Sequence, residues 1–168
     1  MENIKILVLD VDGTLTDGKI YVDDKDNSFK AFNVKDGFAL VNWLKLGGEV
    51  AILTGKKSNI VERRAKELGI KYVIQGSKNK TQDLKNLLKE LNITFENTAY
   101  MGDDLNDLGV MKNVALSGCP KNSVQEVLEI SNFISTKNGG DGAVREFLEY
   151  IMKNNGMWKK ILEKYSSE

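Results

Sequence analysis

Asp10 and Asp12, two residues apart in a chain of 168, are the side chains whose types and spacing most plainly offer chemistry. They stand where the apolar residues Ile4, Ile6, Leu7, Val8 and Leu9 give out, and Gly13 behind them lets the chain turn sharply. A run of that length ending at charged residues has the pattern of a buried parallel strand, and open α/β sheets bind ligands beyond the carboxyl ends of their strands. Two carboxylates this close repel when both are ionised, so the pair needs a cation or a shared proton. Beside a divalent metal an ionised Asp10 can be a nucleophile, while Asp12 can trade a proton as acid and then as base. An ordinary acidic turn after a strand has the same residues, and only the rest of the chain separates the two readings.

Three further signals follow. Thr54-Gly55 ends a second apolar run at 49–53, which delivers it to the same edge as Asp10 if the two strands are parallel. Lys80 lies in the first turn of a helix that Asn79 can cap; a cation there opposes the helix dipole, so a nearby anion relieves a local misfit, although a lone lysine is ordinarily solvated. A strand at 98–101 then leads into Gly102-Asp103-Asp104-Leu105-Asn106-Asp107, with Asp103 at the strand tip, where a metal ligand would sit. Asp104 and Asp107 also suit the start of a helix, where the dipole favours acids.

The elements that must position these groups alternate. After the first strand, segments 19–22 and 28–34 flank a polar turn and read as a hairpin; Ile20, Val22, Phe29 and Phe32 make it more apolar than a solvated flap, so it packs on its own domain or on another subunit. Val34, Phe38, Leu40, Val41, Leu44 and Leu46 have helical spacing up to Gly47-Gly48. A helix capped by Ser58 and stopped at Gly69, a strand at 72–74, a helix striped with Leu84, Leu87, Leu88 and Leu91, and strands at 98–101, 114–116 and 133–134 complete the alternation. The Gly139–Gly142 stretch reads as a flexible loop, followed by a helix carrying Val144, Phe147, Leu148 and Ile151 and by a tail at 155–168. The expectation is a single α/β domain over 1–168, a Rossmann-like doubly wound parallel sheet flanked by helices, with a hairpin flap and no cap domain.

Composition narrows the chemistry. Lys plus Arg and Asp plus Glu number 24 each, and the basic residues are scattered, so no footprint for nucleic acid appears. The single cysteine, Cys119, cannot form an internal disulfide, which fits a reducing cytoplasm. The first apolar run is too short for a signal peptide or a membrane span. The chain contains no histidine, which excludes Ser-His-Asp hydrolysis, His-ligated zinc and phosphohistidine chemistry. Catalysis must run on carboxylates, lysine and hydroxyls.

Asp10-x-Asp12, Thr54, Lys80 and Gly102-Asp103-Asp104-x-x-Asp107, each at an expected strand end or helix start and in this order, resemble the haloacid dehalogenase superfamily of phosphohydrolases along the whole chain. The resemblance implies that Asp10 attacks phosphorus to give an aspartyl phosphate and that Asp12 protonates the leaving alkoxide and then activates water. It implies a Mg²⁺ ion held by the carboxylates of Asp10 and Asp103 and the backbone carbonyl of Asp12, with Thr54, Gly55 and Lys80 clamping the phosphate. Asp104 and Asp107 then read as orienting the metal and Lys80, or as plainly structural. The acid at position 12 separates the chain from the ATPase and dehalogenase branches. The gaps between motifs leave no room for an inserted cap, and small phosphosugars need enclosure, which neighbouring subunits can provide.

More closely, DVDGTLTDGKIY, KAFNVKDG, ILTGKK, YMGDDLNDLGVM and GGDGAVREF resemble the 3-deoxy-D-manno-octulosonate 8-phosphate phosphatases and their nonulosonate 9-phosphate relatives. This implies a small phosphosugar-acid substrate, a homotetramer whose flap at 19–34 helps form the assembly, and an Arg64 that reaches a neighbour's substrate; a solvated helix face would equally explain Arg64. Lys56 after Thr54-Gly55 matches the octulosonate branch, whereas Asp141 stands where that branch commonly has arginine. Two non-catalytic readings compete: a receiver-like domain, whose phospho-acceptor lies on a later strand, and a degenerate phosphatase fold kept for assembly.

Overall fold

The computed structural model describes residues 3–25 and 27–167; Met1, Glu2, Asp26 and Glu168 lie outside them, and with these the extreme ends of the expected domain and one position of the hairpin turn. Strand β1 (Ile6–Leu9) leaves through a wide turn at Val11–Leu15 into a hairpin of β2 (Tyr21–Val22) and β3 (Ser28–Phe29). Then come α1 (Val34–Lys45), β4 (Glu49–Thr54), α2 (Asn59–Leu68), β5 (Tyr72–Gln75), α3 (Lys80–Glu90), β6 (Thr98–Met101), α4 (Leu108–Met111), β7 (Leu116–Cys119), α5 (Gln125–Ile130), β8 (Phe133–Ile134), α6 (Ala143–Asn154) and α7 (Met157–Ser166). No described helix is long and apolar enough to cross a membrane.

Six strands form one parallel sheet in the order β5-β4-β1-β6-β7-β8, and β2-β3 form a separate antiparallel ribbon. From β1 the chain winds outward through β4 and β5, then crosses back to place β6 on the other side of β1. The strand order therefore reverses between β1 and β6, the place where such sheets open a binding crevice. The register carries the chemistry to that crevice: Leu9 pairs with Ile52 and with Met101, so Asp10, Thr54 and Asp103 follow within one or two residues on three adjacent strands.

Both faces of the sheet are covered, which is why β1 is apolar throughout rather than alternating. Leu7 and Leu9 face the helices that contribute Leu40, Trp43, Val61, Phe147 and Ile161, while Ile6 and Val8 face Leu84, Leu88, Val110 and Val127. Each fully buried large side chain among them contributes about 1.5–3 kcal/mol. Trp43 satisfies its buried ring nitrogen by donating to the Glu49 carbonyl at 2.9 Å, which ties α1 to the start of β4.

The doubly wound parallel fold is as expected, and four details differ. The fifth strand of the sheet is Leu116–Cys119, not 114–116. Ser117-Gly118 looks like a turn in sequence, but Gly118 is required because a Cβ there would come within 2.9 Å of the Phe147 ring. The hairpin's returning strand ends at Phe29, and Asn33, accepting from the Lys35 amide at 2.8 Å, caps α1. The tail folds as α7, seated by buried Ile161 and by Arg145 stacked 4.9 Å from the Trp158 ring. The glycine stretch is no loose loop: an added Cβ on Gly139 would fall 1.7 Å from the Gly13 carbonyl oxygen, and Gly140 donates its amide to the Thr14 carbonyl at 3.1 Å.

Candidate active site

At the β1/β6 edge the backbone creates the approach that the side chains use. Gly13 has φ +96°, and a Cβ on it would stand 2.0 Å from a carboxylate oxygen of Asp103, so only glycine lets the turn after β1 admit that carboxylate. Thr14, on the same turn, donates its hydroxyl to Asp103 at 3.1 Å. Asp10 itself donates its amide to Met101 across the strand pair at 3.0 Å, which fixes where its carboxyl begins.

Lys80 opens α3 behind its cap, Asn79, whose side chain accepts from the Gln82 amide at 3.0 Å. Its buried ammonium lies 2.8 Å from Asp10 and 2.7 Å from Asp107. These two carboxylates remove the dipole misfit of a lysine in the first turn: burial alone would lower the Lys80 pKa, but Asp10 and Asp107 outweigh it and raise it. Asp107 is fully buried and fully used. One of its oxygens accepts from Lys80 and from the Tyr100 hydroxyl, the other from the amides of Asp103 at 3.0 Å and Asp104 at 3.2 Å.

Oxygens of Asp10, Asp103 and Asp107 lie within 4.8 Å of one another. Three ionised carboxylates against one ammonium leave an excess of two negative charges, and the electrostatics register it. Burial pushes Asp10 up to about 6, against the lowering effect of Lys80 and with a further rise from Asp107. Burial, then Asp10 and Asp107, push Asp103 up to about 7. An all-oxygen set with that charge deficit fits a hard divalent cation. All the acceptor positions of Asp107 are engaged, tying Lys80 to the loop bearing Asp103, whereas Asp10 and Asp103 keep free acceptor capacity.

The other expected site residues are distributed as follows. Thr54 is buried at the end of β4, and Gly55 is exposed just beyond it. Asp104 is exposed and caps the short turn Leu105–Asp107, accepting from the Leu105 amide at 2.7 Å. Asp12 pairs with Lys30, the residue that follows β3. Arg64 stays out of the carboxylate centre: it pairs with Glu67 at 2.9 Å and lies 5.8 Å over the Phe32 ring, folded on its own subunit rather than along a solvated face. Sequence reading missed Lys30 and Tyr100. Tyr100 carries a signal in hindsight, as the one polar ring in a strand otherwise read as buried.

A haloacid dehalogenase-like hydrolase family model matches residues 72–148. The 3-deoxy-D-manno-octulosonate 8-phosphate phosphatase of Escherichia coli K12 is 42% identical over 155 residues, covering 92% of this chain and 82% of that protein. The chain belongs to the haloacid dehalogenase-like hydrolases. In structure it is similar to the Moraxella catarrhalis 3-deoxy-D-manno-octulosonate 8-phosphate phosphatase solved with magnesium, phosphate and KDO, at TM-score 0.95 and 39% identity over 98% of this chain and 94% of that one. It is also similar to the cobalt-bound Haemophilus influenzae phosphatase, at TM-score 0.88 and 35% identity over 92% of this chain and 91% of that one. The chain is a phosphatase of this family, and Mg²⁺ is the cation that its carboxylate centre suits.

Proposed function

We propose that the chain hydrolyses 3-deoxy-D-manno-octulosonate 8-phosphate. What carries the reading is a complete carboxylate–lysine centre at the β1/β6 reversal, in a chain that shares 42% identity with an octulosonate phosphatase. Lys56, exposed beside Thr54-Gly55, supplies a cation suited to a substrate carboxylate.

In the proposed mechanism Asp10, held by Lys80, attacks phosphorus in line and forms an aspartyl phosphate as the bond to the alcohol breaks. Asp12 gives the departing oxygen a proton, then takes one from the water that releases phosphate. Thr54, Gly55 and Lys80 clamp the phosphate. The carboxylates of Asp10 and Asp103, with the backbone carbonyl of Asp12, would hold Mg²⁺, which would supply charge neutralisation for phosphoryl transfer. Asp107 keeps Lys80 aimed, and Asp104 serves to cap its turn.

The chain acts as one domain without a cap, in the cytoplasm, as a homotetramer that uses the hairpin for contact. Supporting this are Ile20, Val22, Phe29 and Val34, all exposed on or beside the hairpin, an apolar face that a lone subunit leaves uncovered. On this reading Arg64 leaves its contacts with Glu67 and Phe32 to act at a neighbour's site. A screen of sugar phosphates with Mg²⁺ tests the substrate. Higher kcat/KM for the eight-carbon acid than for neutral sugar phosphates is expected; preference for nine-carbon 2-keto-3-deoxy acids would move the assignment to the nonulosonate branch, and Asp141 would be the first residue to examine.

A further inference from the structure

We propose that Lys30 is a positioning residue for Asp12, holding its carboxyl toward the space beneath the hairpin where the leaving alcohol lies. The inference rests on the reading of Asp12 as the acid of the reaction. Lys30 Nζ meets Asp12 Oδ1 across 18 residues of sequence, and the two side chains are only 17% and 25% exposed. Both line a cavity of about 200 Å³ together with Tyr21, Phe29, Lys56 and Lys57. Among the described residues only Lys30, of the lysines around this cavity, contacts Asp12.

Lys30 is itself held from both sides. Beyond it, Phe32 packs against the core under Arg64, and Asn33 both caps α1 and donates to the Gly140 carbonyl at 3.4 Å. Across the ribbon, Asp17, two residues beyond the Val11–Leu15 turn, accepts from the Lys19 amide at 3.0 Å and from the Tyr21 hydroxyl. The hairpin is thus tied to the turn that carries Asp12, and Lys30 is the tie that reaches the reacting group. An exposed ion pair between mobile side chains would impose no such geometry.

The step that depends on this geometry is specific. As the Asp10 oxygen bonds to phosphorus, the bond from phosphorus to the alcohol breaks; its electron pair stays on the alcohol oxygen, which takes the proton carried on Asp12 Oδ2, the oxygen that Lys30, donating to Oδ1, leaves free. A sugar alkoxide needs that proton, whereas p-nitrophenolate leaves without it. Misplacing Asp12 should therefore slow alkyl esters and spare aryl esters.

The test compares kcat and KM of wild type, Lys30→Met, Lys30→Arg and Asp12→Asn, with Mg²⁺, on 3-deoxy-D-manno-octulosonate 8-phosphate and on p-nitrophenyl phosphate. Lys30→Met should lose roughly 10- to 100-fold in kcat on the sugar ester and under about 3-fold on the aryl ester with KM little changed, and Lys30→Arg should recover most of it. Equal losses on both esters, or a change confined to KM, would overturn the proposal. If Asp12→Asn discriminates between the esters and Lys30→Met does not, Lys30 alone is misassigned. If Asp12→Asn fails to discriminate, the acid reading itself falls.

Discussion

At the β1/β6 edge Lys80 is held by Asp10 and Asp107, and Asp107 by four donors, so the cluster lacks nothing but a cation. The hairpin is built the opposite way, as two-residue strands outside the main sheet with Ile20 75% and Phe29 57% exposed. One region is complete within a single subunit, and the other is not. The difference separates two tasks. Chemistry on a phosphate head needs fixed charges in a dry, rigid place, while enclosing the rest of a sugar acid needs a surface that something else can finish.

The sharpest way to break the comparison is at the centre. Asp10→Asn removes the proposed nucleophile, and phosphate release should fall by ~10⁴-fold or more, because groups that act as a unit fail together. An active variant would mean that the centre is not where bond breaking begins.

Next in size is Asp107→Ala. It strips one of two carboxylates from Lys80, and the acceptor from the Tyr100 hydroxyl and two backbone amides, at a position with no exposed surface. Breaking a buried pair on one side costs about 3–5 kcal/mol, so the denaturant midpoint should drop sharply along with activity. Retained stability would show that the network orients without holding.

The excess negative charge gives a pH test. Asp10 and Asp103 have folded-state pKa values of about 6 and about 7, against an ordinary 3.8. Between roughly pH 4 and 7 the folded protein therefore binds more protons than the unfolded chain, and stability without metal must fall as pH rises through that window, on the order of a few kcal/mol in all. Mg²⁺ should restore most of the loss at pH 8 and little at pH 4, read from melting temperature with and without a chelator. A metal-free protein that gains stability from pH 5 to pH 8 would contradict the geometry of the centre.

The same contrast governs what sequence can say. Asp10, Thr54, Lys80 and Asp103 are legible because strand ends and helix starts are local events, marked by apolar runs and caps. Lys30 and Tyr100 are not: the partner of Lys30 lies 18 residues back in sequence, and that of Tyr100 lies seven residues on, where the turn after β6 brings a buried carboxylate back over the strand. The Gly139–Gly142 stretch reads as flexible because glycine signals turns, and only the fold reveals that the Gly13 turn presses against it. Helix α7 escapes notice for a similar reason: its stripe is thin, and Trp158, Ile161 and Tyr165 have meaning only against α6 and Phe38. Val34 and Phe38 fit the helical spacing of a core face, yet both are exposed on α1. Spacing reports a face of a helix, not whether that face meets its own domain or another copy.

The smallest expected effect on the isolated subunit, and the most informative about the hairpin, comes from Ile20→Ser or Phe29→Ser. Neither side chain is packed, so monomer stability should change by no more than about 0.5 kcal/mol. If the hairpin is an assembly surface, light scattering should show smaller species, and sugar-phosphate turnover should fall more than p-nitrophenyl phosphate turnover, because the phosphate head still meets its own subunit's Asp10 and Lys80. A wild-type protein that stays a fully active monomer at low concentration would sink the neighbour-as-cap idea. Closure would then have to come from within, and the tie between Lys30 and Asp12 is where the hairpin already touches the reaction.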